Sequence, residues 1–292
     1  MNNNSPFSIL HYQLLTSYLV ALICFAVPVQ AQDEAQGLLN PTSFTRRSGT
    51  IGVGLVASQF DSYLSPNDYS GLLISDYAES WKQSRWGSGQ LFEQTMFDTS
   101  VGLTVFGGGL TLHAMENASY ALPWRVATAG AFRFYAGPEL QLRVGALYNL
   151  RNSNNPINIK AALHATAMGM VESSFHVRRT PVRMAYQLDM PLIGAFFSPD
   201  YSQSLYEIYY LGSKSPIIHV ATPFNCLSTR HLLTADVTHR HSITRFMLGC
   251  DVYQWHTSNA SFALRTFQLG IGYVINLYTL HPHEKASDYL PY

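Results

Sequence analysis

Charge is what this chain has least of. Its 292 residues carry 18 basic and 18 acidic side chains, 12% of the total and a balance of zero. An average soluble domain holds about twice that share. With no basic surplus and no dense basic run, there is nothing to neutralise a phosphate backbone, so nucleic acid is excluded as a partner. Cysteine is nearly absent, with only Cys24, Cys226 and Cys250. Isolated thiols without neighbouring histidine pairs are no metal signature. Long apolar runs are missing as well. Beyond residue 31 no window approaches the ~18 consecutive apolar residues of a helical membrane span.

The chain is nevertheless 47% hydrophobic and 13% aromatic, led by tyrosine and phenylalanine. Little charge with many aromatics suits a protein whose outer face meets hydrocarbon between aromatic girdles. Residues 1–31 read as an export signal. An apolar run over 18–29, too short for a confident span, precedes the small-residue pattern Val29-Gln30-Ala31 and a cut before Gln32. The segment departs from the usual pattern in having no Lys or Arg among its first 17 residues. Lipidation at Cys24 is not expected, because apolar residues continue past it and Ala21 is a poor start for a lipobox. The mature chain keeps Cys226 and Cys250, and spacing does not decide whether they pair. Exported, apolar and without spanning helices, the chain is either a secreted β-sandwich or an outer-membrane barrel.

Periodicity supplies the secondary structure. Near the end of the chain Phe267, Leu269, Ile271, Tyr273, Ile275 and Leu277 alternate with Gln268, Gly270, Gly272, Val274 and Asn276. A period of two is a strand with one apolar face and one small or polar face. Leu140, Leu142 and Val144 alternate in the same way with Glu139, Gln141 and Arg143, and so do Leu163, Ala165 and Ala167 with His164, Thr166 and Met168. About ten to twelve strands are expected, with 60–71 read as a loop from its Pro, Asn and Gly content. Tight turns alternate with longer loops, as in outer-membrane barrels. The predicted fold is therefore all-β, an antiparallel outer-membrane-type β-barrel. Residues 32–48 form a periplasmic lead-in, 49–280 the barrel and 281–292 a polar tail. The polar faces carry Glu139, Arg143, Glu172, Arg183, Asp189, Asp236, Arg245 and Asp251. In a sandwich these would form a solvated outer surface; in a barrel they line the lumen and can pair there. With so few strands the lumen should be nearly filled.

Four stretches, Tyr63-Leu-Ser-Pro66, Asn149-Leu-Arg-Asn-Ser-Asn-Asn-Pro156, Tyr186-Gln-Leu-Asp-Met-Pro-Leu-Ile-Gly194 and Phe197-Ser-Pro-Asp-Tyr-Ser-Gln-Ser-Leu-Tyr-Glu-Ile208, carry a resemblance. The chain resembles an uncharacterised family of exported Bacteroidota proteins, a domain of unknown function, over about residues 52–277. That resemblance implies an outer-membrane-type barrel without an assigned activity, and it transfers no catalytic residues.

Three local features are candidates for chemistry. Trp255-His256-Thr-Ser258-Asn259-Ala-Ser261 looks like the His-x-Ser-Asn-Ala segment of lipid A 3-O-deacylases, and more loosely like outer-membrane phospholipases. On a strand His256 and Ser258 would share a face, with imidazole as general base for a hydroxyl attacking an acyl ester. The deacylase pattern wants a Glu about a strand later, where Gly270 stands; the alternative is a polar strand end facing water. Tyr201, Tyr206, Tyr209 and Tyr210 could bind a glycan or lipid headgroup, or form an interfacial girdle. His231, His239 and His241 lie near one hairpin without a carboxylate or Cys at ligand spacing, so an exposed turn competes with a metal site. Gly107 to Gly109 is no phosphate loop, lacking a following Lys-Ser/Thr. The expected role is a non-enzymatic outer-membrane protein, structural or a narrow conduit or receptor for a small ligand, with no cofactor and no metal. An acyl-ester hydrolase through Ser258 and His256 is the first alternative and a soluble periplasmic β-sandwich the second. Expected partners are outer-membrane lipid and lipopolysaccharide, and the barrel-assembly machinery during insertion.

Overall fold

The structure, a computed structural model, describes residues 43–279 except 85–89, 154, 200–209, 211–216 and 241. The segments read as an export signal (1–31) and as a polar tail (281–292) lie outside the described residues. The strands are β1 (Ser43–Asp61), β2 (Ser65–Gln83), β3 (Phe92–Phe106), β4 (Gly109–Ala121), β5 (Trp124–Ala129) and β6 (Phe132–Asn149). They continue with β7 (Ile157–Val177), β8 (Thr180–Phe197), β9 (Ile218–Ala221), β10 (Cys226–Thr238), β11 (Ile243–His256) and β12 (Ser261–Thr279). Every pairing is antiparallel, and β12 returns to β1 in a register running from Ser43↔Thr279 to Asp61↔Phe262.

Two of the twelve are fragments. Strand β6 pairs with β4 up to Ala121↔Glu139 and then with β5 from Trp124↔Ala136, so β4 and β5 are one line interrupted at Leu122 and Pro123. Likewise β8 pairs with both β9 and β10, which form one line broken over residues 222–225. Proline donates no ladder hydrogen bond, which accounts for the first break. The result is a closed ring of ten antiparallel strands. Both termini of the described chain lie at one end of it, and the strand ends Phe197 and Ile218 lie at the other.

Closure turns the sequence alternation inside out relative to a soluble protein. On β12 the residues Phe267, Leu269, Ile271, Tyr273, Ile275 and Leu277 are exposed, and Thr266, Gln268 and Val274 are buried. On β6 Leu140, Leu142 and Val144 are exposed while Glu139, Gln141 and Arg143 are buried. Ile271 is 58% accessible and Leu142 46%, which excludes two stacked layers burying these side chains between them. The same apolar belt continues on β1 (Ile51, Val53, Leu55), β2 (Leu72, Ile74) and β3 (Val101, Leu103). Among the described residues no helix is long and apolar enough to cross a membrane.

Strand ends depart from the periodicity. Strand β1 starts at Ser43, inside the segment read as a lead-in. Residues 60–71, read as a loop, are mostly strand: β2 begins at Ser65, and the turn is closed by Leu64 N donating to Asp61 O at 3.0 Å. Turn-forming residues such as Pro66, Asn67 and Asp68 are held in the ladder by side chains, Ser58 Oγ donating to Asp68 Oδ1 at 2.9 Å. Gly107 and Gly108 form a two-residue hairpin between β3 and β4. Their φ values of +51° and +78° lie in the region that glycine alone enters freely.

Candidate functional site

The inward side chains meet in the lumen, and they meet as charges. Nearest the termini, Arg245 is the hub. Its Nε and Nη2 donate to Asp236 at 2.7 and 2.9 Å, and its Nη1 donates to Glu79 at 2.5 Å and to Ser48 Oγ at 2.6 Å. Arg183 joins the same Asp236 at 3.0 Å and holds Glu172 through its Nε at 2.7 Å. Arg133 reaches Glu172 at 2.9 Å from the rim. These residues come from β1, β2, β6, β7, β8, β10 and β11, so the layer ties most of the ring together.

The middle layer is built around Arg230, 1% accessible. One guanidinium holds three carboxylates: Nε to Asp189 at 2.7 Å, Nη1 to Asp98 at 2.8 Å and Nη2 to Glu139 at 3.1 Å, with Ser119 Oγ also at 3.1 Å. Beside it Arg143 forms a two-pronged pair with Asp251 at 3.0 and 3.2 Å, and its guanidinium lies 4.8 Å from the centre of the Tyr253 ring. Charge-assisted, forked bonds of this kind are the strong ones. Two amides join the layers: Gln94 Nε2 donates to Glu79 at 2.9 Å and to Gln187 Oε1 at 2.8 Å, and Gln187 Nε2 donates to Asp189 at 2.9 Å.

Aromatic side chains close both ends. Towards the termini Trp81, Phe92 and Tyr135 pack with ring centroids 5.3–5.4 Å apart. At the far end Phe196, Trp255, Phe262 and Tyr253 form a continuous stack, 5.2–5.7 Å from ring to ring. Lys160 is fully buried in that plug. Its ammonium contacts Asp61 at 2.9 Å and lies 4.7 and 4.5 Å from the Trp255 and Phe262 ring centres, a cation–π arrangement sheltered from water. Between the plugs, among the described residues, lie two small cavities. One of about 30 Å³ lies beside Glu79, Arg183 and Arg245, and one of about 10 Å³ beside Asp98 and Asp251. A water needs roughly 10–15 Å³, so these hold one or two molecules each and not a solute.

All eight charged residues singled out from the sequence, Glu139, Arg143, Glu172, Arg183, Asp189, Asp236, Arg245 and Asp251, line the lumen in these two layers. Sequence reasoning missed Arg230, Glu79, Asp98, Asp61 and Lys160. Arg230 and Lys160 stand at or before the margins of the alternating runs, yet both keep the inward parity of their strands, Arg230 with Leu232 and Asp236, Lys160 with His164 and Thr166. Lys160 opens the alternating run over 160–175, and extending the run from Leu232 back by two residues reaches Arg230.

The candidate hydrolase pair is not assembled. Strand β11 ends at His256, so Ser258 lies in the turn over residues 257–260 and shares no strand face with it. The imidazole Nδ1 is 2.6 Å from Ser261 Oγ instead. Both His256 and Ser258 are exposed, and Gly270 stands on β12 where the deacylase pattern wants a carboxylate. A Ser258→Ala variant is accordingly expected to leave the acyl-chain pattern of lipid A unchanged by mass spectrometry. Tyr210 is 77% accessible; Tyr201, Tyr206 and Tyr209 lie outside the described residues. The histidines do not converge: His231 is on the outer face with Nδ1 2.8 Å from the Tyr186 hydroxyl, His239 is in an exposed turn, and His241 is outside the described residues. Cys226 faces inward beside His164 and Cys250 faces outward, and both are free thiols.

The fold and its interior define a class: a closed β-barrel with an apolar exterior and an ion-paired, plugged lumen. Over residues 17–284 the chain matches the family described as Protein of unknown function (DUF3316), and it belongs to that family. No curated protein matches it. Solved structures it is similar to include Neisserial surface protein A (9% identity, 80% of this chain and 96% of that one, TM-score 0.34). An outer membrane channel from Pseudomonas putida F1 overlaps at 12% identity over 84% of this chain and all of the other, with a TM-score of 0.36. The translocator domain of the autotransporter NalP from Neisseria meningitidis overlaps at 8% identity over 91% and 96%, also at 0.36. Overlaps this loose transfer no activity.

Proposed function

We propose that this chain is an outer-membrane β-barrel with a structural role, closed to solutes in the form described, rather than an open conduit or a hydrolase. The observation that carries the reading is the inversion of polarity across one wall: a belt of exposed Leu, Ile, Val and Phe outside, and paired Arg and carboxylates inside. In water such an exterior would be an unusually large exposed apolar patch. In hydrocarbon it is what a spanning sheet needs, because closure satisfies every backbone group. The two aromatic plugs and the amide-linked charge layers support the closed form, since an ion would have to break several buried pairs to pass. The small-ligand receptor remains compatible only at the surface beyond the plugs.

Two measurements test this. The protein should be recovered in the membrane fraction and show heat-modifiable gel mobility once extracted in detergent; recovery in the aqueous fraction would overturn the membrane placement. Reconstituted in planar bilayers it should give no stepwise conductance, whereas reproducible open-channel steps would overturn the closed reading without touching the placement.

A further inference from the structure

Exposed charge is divided unevenly between the two ends of the barrel. At the termini end Arg47 on β1, Arg178 and Arg179 in the turn between β7 and β8, and Arg240 in the turn between β10 and β11 are all exposed. Among the described residues none of these four guanidiniums has a carboxylate or hydrogen-bond partner. Lys82 and Arg133, at the same end, are paired with Glu93 and Glu172. At the far end the exposed charges among the described residues are Arg151 and Asp68, one of each sign. The two arginine-bearing turns are neighbours on the rim, since β8 and β10 pair as far as Val182↔Val237, and neither turn contains an acidic residue. Turn chemistry does not ask for these arginines. Strands β7 and β8 are joined by two residues, as β3 and β4 are, yet one turn holds Gly107 and Gly108 and the other Arg178 and Arg179. Arg178 has φ +61°, the one described non-glycine residue in that region. Glycine takes that conformation freely and other side chains take it at a cost. A cation in a place that suits glycine points to a role outside the turn.

We propose that this rim docks on anionic phospholipid headgroups of the leaflet at the termini end, with Arg178, Arg179 and Arg240 at its centre. A guanidinium matches phosphate by forked hydrogen bonds, and clustered cations beside hydrocarbon are drawn to an anionic lipid surface. The height fits. Tyr120, Trp124 and Tyr273 are exposed on the outer wall towards the same end, and such rings sit where hydrocarbon gives way to headgroups. Arg47 stands opposite Ile275, two residues beyond the Gly49↔Tyr273 pair, and the two turns lie beyond their strand ends. Two-residue turns join β5 to β6 and β7 to β8 here, while the longest stretch between strands, 198–217, joins strand ends at the far end. Outer-membrane barrels keep short turns on the periplasmic side, so the occupant is a phospholipid of the periplasmic leaflet, of the phosphatidylglycerol type. The proposal rests on the membrane placement and adds to it a preferred lipid and the side chains that hold it.

The test uses the full chain purified in a zwitterionic detergent and titrated with dioctanoyl-phosphatidylglycerol, dioctanoyl-phosphatidylcholine or inorganic phosphate. The readouts are the lipid retained in native mass spectrometry and the temperature at which the heat-modifiable band is lost. Phosphatidylglycerol should be retained and should raise that temperature, whereas phosphatidylcholine and phosphate at equal concentration should not. Arg178→Gln, Arg179→Gln and Arg240→Gln should each weaken phosphatidylglycerol binding about fivefold. Added salt should weaken the parent in the same direction, and Arg151→Gln at the far end should leave binding unchanged. Arg178→Gly separates lipid binding from folding: it relieves the left-handed φ, so the lipid-free barrel should be at least as stable while binding phosphatidylglycerol less. Equal retention of the two lipids by a heat-modifiable barrel would overturn the proposal and leave the membrane placement intact, whereas recovery without detergent would overturn the placement itself. A response matched by inorganic phosphate would overturn the lipid surface in favour of a plain anion site. A preference that survives the three Gln substitutions together would overturn the assignment to these turns.

Discussion

Arg230→Met is expected to yield almost no folded barrel. The substitution keeps a long, flexible side chain and removes one guanidinium, leaving Asp98, Glu139 and Asp189 facing each other around an apolar group. Breaking one buried pair by deleting a partner costs about 3–5 kcal/mol, and here three carboxylates lose the same partner. Domain stabilities are about 5–15 kcal/mol, so the loss is comparable with the whole. The readout is the fraction of heat-modifiable band after refolding into detergent. A combined variant, Arg230→Met with Asp98→Asn, Glu139→Gln and Asp189→Asn, should recover much of it, because neutral isosteres remove the uncompensated charge. Arg230→Met folding as well as the parent would show that the middle layer contributes little to the barrel. Asp251→Asn should be milder, since Arg143 keeps its contact with the Tyr253 ring.

How much of this was legible beforehand follows from where a residue sits on its strand. In the central belt the outward face must be apolar and the inward face must fit a narrow polar interior. Strict alternation therefore appears on β6, β7 and β12, and it made Glu139, Arg143 and Glu172 stand out, as the inward positions of β8, β10 and β11 did for Arg183, Asp189, Asp236, Arg245 and Asp251. Beyond the belt the outer face meets water, the constraint lapses, and pairing continues without a pattern. That is why β1 above Thr50, the Ser65-Pro66-Asn67-Asp68 start of β2 and the short β5 gave no signal while the ladder runs through them. Ring size was legible only as a range, because β5 and β9 count as strands in the chain but not in the ring. The hydrolase pattern failed because the spacing of His256 and Ser258 means a shared face only while a strand continues, and β11 stops at His256.

The lipid-facing assignment makes a prediction opposite to the one a soluble protein would obey. Ile271 is on the outer face of β12 with Ile51 and Phe246 as its cross-strand neighbours, all exposed. In water, Ile271→Arg would be a surface change, ordinarily worth no more than about 0.5 kcal/mol either way. In a bilayer a midplane arginine on a barrel's outer face costs about 2–4 kcal/mol, falling to about 0–1 near the interfaces. Refolding into phospholipid vesicles across a guanidinium series should show that full loss for Ile271→Arg. The loss should be much smaller for Leu277→Arg, which stands at the termini end opposite Thr45, beyond the outward-facing Arg47. The belt is not free of charge, since Asp76 and Glu116 also point outward and Thr99 Oγ1 donates to Glu116 between them. Outward acids are cheaper than outward bases, so Asp76→Lys should cost more than Asp76→Leu, which should stabilise. The dependence on position along β12 is the decisive quantity: a burial defect in a protein core would not fade towards the strand end in step with distance from the hydrocarbon midplane, and equal, negligible effects at Ile271 and Leu277 would remove the barrel from the bilayer.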